Sequence, residues 1–141
     1  MILLAMALVT LGACNSQFTD KDKIDENIKE LKEELRDVGQ AIDQLAKDEN
    51  DEFKEEAQEV LNSFNRKMEN FEKRLKENGE KVDQETQMKI DNLKANADRL
   101  ESKLEESDDT SLENWEEIKN ELNHDFSEFG KSIKGFFNDD V

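Results

Sequence analysis

The sequence predicts an all-α protein, either an antiparallel bundle or a set of coiled-coil hairpins, built from three to four long amphipathic helices. Three observations carry this reading. Apolar residues recur every three or four positions along most of the chain, the spacing of one face of a helix. Strand signals are missing: there is no proline and no tyrosine, and runs rich in Val, Thr and Tyr do not occur. The intervals between apolar positions hold Glu, Lys, Asp, Asn and Gln, which are good helix formers or solvated polar residues.

Four seams follow one another. Ile24, Ile28, Leu31, Leu35, Val38, Ile42 and Leu45 alternate spacings of four and three, a heptad stripe over three repeats. Phe53, Ala57, Val60, Leu61, Phe64, Met68, Phe71 and Leu75 form the second, and Val82, Ile90, Leu93, Ala97, Leu100 and Leu104 the third. Leu112, Trp115, Ile118, Leu122, Phe126, Phe129, Ile133 and Phe136 form the fourth, so Phe18 and Phe137 are the phenylalanines off any seam. Asp48-Glu49-Asn50-Asp51 offers a cap before Phe53, and Ser107-Asp108-Asp109-Thr110 is a polar turn. Thr110 and Glu113 have capping-box spacing just before Trp115. Turns are therefore expected near 48–51 and 107–110. Asn78-Gly79 has the form of a helix end followed by its left-handed residue. Yet Gly79 also occupies the next seam position after Leu75, with Val82 in phase, and a lone glycine costs only about 1 kcal/mol inside a helix. Residues 51–106 thus read equally well as two helices or as one of about 80 Å.

The chain divides into a leader over 1–13, a tether over 14–20 and a single helical domain over 21–138. Met1 to Ala13 (MILLAMALVTLGA) is uncharged and almost wholly apolar. It is shorter than the roughly 20 residues that span a bilayer, and has the length and small-residue ending of a signal-peptide core. The only cysteine follows at once, and Leu11-Gly12-Ala13-Cys14 resembles the lipobox of bacterial lipoproteins. The resemblance implies cleavage between Ala13 and Cys14, a diacylglyceryl group on the Cys14 thiol and acylation of the new amine. Each buried CH₂ contributes about 0.8 kcal/mol, so two or three chains hold such a protein on its membrane where one is marginal. Asn15 stands where Asp often retains lipoproteins at the inner membrane, which points to the outer membrane.

The formal charge of -17 argues against sequence-independent binding to nucleic acid, which needs clustered Lys and Arg, and against general adhesion to anionic membrane surfaces. One cysteine makes no internal disulfide and no cysteine-rich metal site. From Cys14 onward, 28 of 128 residues are Leu, Ile, Val or Phe, close to the composition at which a charged chain stays disordered. Narrow seams and dense charge predict a thin core, acidic self-repulsion relieved by salt, and a residual apolar stripe that would let two copies dimerise.

Chemistry-bearing motifs are few. Glu121-Leu122-Asn123-His124 has the Glu-x-x-His spacing of di-iron bundles, but those sites need the pair from two helices and this chain has one histidine. His124 lies two positions past the seam residue Leu122, as a solvated surface side chain would. No nucleophile elbow or phosphate loop is present. No catalytic residue, metal ligand or cofactor is assigned. Trp115, Phe129, Phe136 and Phe137 are the candidate contacts for a partner or for lipid, with core anchoring as the competing reading. Asp139 and Asp140 beside them oppose an anionic bilayer. Residues 89–137, from Lys89-Ile90-Asp91-Asn92-Leu93 through Trp115-Glu116-Glu117-Ile118-Lys119 to the Phe-rich end, resemble a loose family of small helical bacterial stress-response proteins. That likeness implies no catalytic residue. The expected protein is a non-enzymatic, lipid-anchored envelope module with a structural or partner-binding role. Its membrane contact is through Cys14, its protein partner is unknown, and the alternative is lipid binding by amphipathic helices.

Overall fold

A computed structural model describes residues 20–47, 52–109 and 112–138. The leader, Cys14 and the tether up to residue 19 lie outside the described residues, as do Asp48–Asp51 and Thr110 of the expected turns. Four helices make up the fold: α1 (Asp20–Leu45), α2 (Phe53–Asn78), α3 (Gln84–Glu106) and α4 (Leu112–Asn138). A short 3₁₀ turn, Ser107–Asp109, follows α3. No strand occurs among the described residues.

The ambiguity at Gly79 resolves in favour of two helices. Gly79 adopts φ 66° and ψ 26°, the left-handed conformation that only glycine takes without strain. Its N–H donates to the Lys76 carbonyl and that of Glu80 to Leu75, closing α2 with the paired bonds of a helix-ending motif. The chain then turns over four residues and α3 starts at a cap. Asp83 Oδ1 accepts from the Thr86 N–H and Oδ2 from the Thr86 hydroxyl, both at 2.8 Å. These Thr86 donors, the backbone one first, hold the Asp83 carboxyl below the usual carboxylate range.

The helices form an up-down-up-down four-helix bundle. α1 packs between α2 and α4, and α3 between the same two on the opposite side. Neighbours run antiparallel, pinned along their edges by Arg74 with Glu30 and Glu34, Lys94 with Glu72, and Lys134 with Asp43. α2 and α4 run the same way across the diagonal, where Phe64 meets Phe129 edge-on at 5.1 Å. Every fully buried apolar side chain among the described residues lies on one of the four seams. The seams are narrow, but they do not leave a thin interior: Phe53, Phe64, Phe71, Phe126 and Phe129 are all under 2% exposed or close to it and fill the axis with aromatic volume. α1 and α4 approach closely at Gly130, where a Cβ would stand 3.0 Å from Ile42 Cγ2.

Candidate functional site

The two ends of the bundle are closed to different degrees. Where α2 and α4 begin, Phe53 stacks edge-on against Trp115 at 6.3 Å and against Phe126 at 6.4 Å. Lys54 Nζ lies 4.7 Å over the Trp115 ring and donates to the Ser107 carbonyl at 3.1 Å and to Asp108 Oδ1 at 3.0 Å. One cation thus ties the start of α2 to the end of α3 and to α4, and the aromatic cluster seals that end.

At the other end the described part of α4 reaches Asn138. Phe136 lies under Lys32 and Phe137 under Arg36, and Phe137 also packs on Gly39, where an added Cβ would meet its ring at 3.6 Å. The last turn of α4 therefore stands opposite residues 32–39 of α1. Residues 20–31 of α1, about 18 Å of helix, run on past it, as do the first residues of α3. The consequence is visible in burial along one seam. Leu31 to Leu45 are sealed, whereas Ile24 and Ile28 are only half-buried.

Beside the last described turn of α4, between α1 and α3, lies a groove of about 730 Å³. Ile28, Phe136 and Phe137 give it an apolar floor. Lys21, Lys29, Lys32 and Arg36 of α1 and Lys89 of α3 supply cations along its sides. Three carboxylates, Asp25, Glu33 and Asp83, line it too, and Asp83 is engaged in capping α3. Elsewhere at this end, Asn27 Nδ2 of α1 donates at 2.7 Å to Oε2 of Glu80 in the loop between α2 and α3, and Glu80 is only 8% exposed. Its Oε1 has no hydrogen-bond partner among the described residues.

Of the residues singled out by sequence, Phe136 and Phe137 meet at this groove. Phe136 is 5% exposed and Phe137 half-buried. Trp115 is half-buried at the opposite end, and Phe129 is 2% exposed in the interior against Phe64. Phe129 therefore reaches a lipid or partner only if helices separate. His124 projects from the outside of α4, with 74% of its side chain exposed, next to Asp125 at 3.5 Å. Partial burial pushes the Asp125 carboxyl up, but the Lys103 ammonium that donates to it and the nearby His124 outweigh this, so it titrates below the usual range. Among the described residues no group of three His, Cys, Asp or Glu side chains is placed to hold a metal, and no helix is long and apolar enough to cross a membrane.

The cationic flank of the groove was not singled out by sequence. Its signal was present: Lys29 and Arg36 are seven apart and Lys32 lies between them, all on the side of α1 next to the Ile28 seam position. No protein-family model, no curated protein and no solved structure matches this chain.

Proposed function

We propose that the chain is a lipid-anchored, non-enzymatic lipoprotein of a bacterial cell envelope, with a helical bundle that serves as a spacer or partner-binding module. One observation carries the reading: an uncharged apolar leader ends in Leu11-Gly12-Ala13-Cys14, and the first helix opens at Asp20, six positions after the cysteine. Acyl groups on Cys14 would hold the bundle close to the bilayer. The non-enzymatic part of the reading rests on the inventory of side chains. The one histidine is a solvated surface residue, the one cysteine is read as the anchor, and the side chains along the bundle axis are apolar. Asn15 favours the outer membrane, and the likeness of residues 89–137 to helical stress-response proteins favours a stress-related role. Growth with a palmitate analogue tests the anchor. The wild-type chain should take label and Cys14→Ala should not; a labelled Cys14→Ala chain, or an unlabelled wild type, sinks the proposal.

A second reading, helices that open onto a lipid surface, draws support from the phenylalanine stripe of α4. Opening would separate Trp115 from Phe53 and Lys54. Trp115 emission that stays constant on adding vesicles counts against it.

A further inference from the structure

We infer that the groove beyond the end of α4 is a docking site for anionic phospholipid of the membrane to which Cys14 anchors the chain. The inference rests on the lipoprotein reading for the position of the membrane, and on the structure for the chemistry of the site. The floor is apolar, made by Ile28, Phe136 and Phe137, and suits acyl chain or glycerol backbone. The flanks carry Lys29, Lys32 and Arg36 of α1, the last two lying over the rings of Phe136 and Phe137, and Lys89 of α3, which is paired with Glu85 at 3.1 Å. In a chain of net charge -17, cations outnumber carboxylates along this groove.

Geometry places the groove where such lipid is found. It runs along the first residues of α1, and the six positions from Cys14 to Asp20 span at most about 20 Å when extended. An anchored chain therefore presents this groove to the headgroup layer at high effective concentration. The bundle docks closed and end-on, standing away from the bilayer, and no helix needs to open.

The test uses the full chain carrying Cys14→Ala, which removes the acyl anchor, in flotation with vesicles of phosphatidylcholine alone or mixed with phosphatidylglycerol. The apolar leader contributes equally to both vesicle types, so the difference between them reads the groove. Binding to the mixed vesicles should exceed binding to phosphatidylcholine about tenfold at low salt and fall as salt is raised. Adding Lys29→Glu and Arg36→Glu should abolish the preference. Lys73→Glu with Lys131→Glu, which changes net charge equally at exposed positions away from the floor, should leave it intact. Circular dichroism checks that each variant folds, and Trp115 emission, at the far end, should stay constant on binding. Equal binding to both vesicles overturns the inference. So does a preference that survives reversal at Lys29 and Arg36, or a Trp115 shift showing that the bundle opens. Because the test chain has no acyl group, these results stand apart from palmitate labelling. A labelled wild type with no anionic preference would refute the groove and keep the lipoprotein.

Discussion

At one end of the bundle α2 and α4 begin side by side, and Phe53, Trp115 and Phe126 interlock under Lys54. At the other, α4 ends opposite residues 32–39 of α1, and Ile24 and Ile28 of the same heptad stripe are left half-covered beside a row of cations. Both ends are made from one kind of helix with one kind of seam. The difference teaches that a heptad stripe specifies which side chains want cover, while the lengths of the neighbouring helices decide which receive it. Where cover fails, flanking charge determines what surface the molecule shows.

Substitutions can break or sharpen this contrast. The largest effect is expected at the sealed end. Phe53→Ala should cost about 3–5 kcal/mol in urea unfolding, since it empties a site fully enclosed by Trp115 and Phe126. Ile24→Ala, on the first seam but at the open end, should cost about 1 kcal/mol or less. Equal costs would erase the distinction between the ends. Trp115→Ala should fall between, at about 2 kcal/mol, because the ring is half-buried and still covered by Lys54. A loss below about 1 kcal/mol would show that Trp115 contributes little to sealing the bundle.

Two glycines of the open half give smaller effects of opposite sign. Gly79→Ala should destabilise by about 1 kcal/mol, because alanine resists a φ of 66°. Gly135→Ala should stabilise by about 0.5–1 kcal/mol: a Cβ there meets nothing within 4 Å, and alanine is the better helix former. Thermal melts of the pair check both signs.

The smallest effect concerns acid. The folded Asp125 titrates below its unfolded value of about 3.9, so its contribution is present above that pH and lost as pH falls through the folded value. Asp125→Asn should therefore lower stability at neutral pH and flatten its decline below about pH 4. An unchanged acid limb would show that the Lys103–Asp125 contact does not hold in solution.

Much of the fold was legible before any coordinates. The four seams of helical spacing marked every apolar side chain that the described bundle fully buries, because a residue recurring on one helix face must meet whatever that face packs against. Gly79 was readable as both a seam position and a helix end. Only the left-handed geometry and the Asp83 cap four positions on distinguish them, and Asp83 with Thr86 was a cap signal available in the sequence. Phe137 lies off every seam yet packs, since Gly39 on α1 leaves room for its ring. The groove was the least legible feature. It arises from how far α4 extends relative to α1 and α3, a tertiary register that no local pattern encodes. Its cations looked like the ordinary solvated flank of an amphipathic helix.

Residue-resolved amide hydrogen exchange of the free protein tests the contrast between the ends most directly. Amides of residues 24–30, on the first turns of α1 past the last described turn of α4, should exchange at least about tenfold faster than those of residues 35–45 on the same helix, and those around Phe64 and Phe126, in the middle of their helices, should be the slowest. Uniform protection along α1 would contradict the account, because it would mean that another element covers the first seam where the groove is drawn.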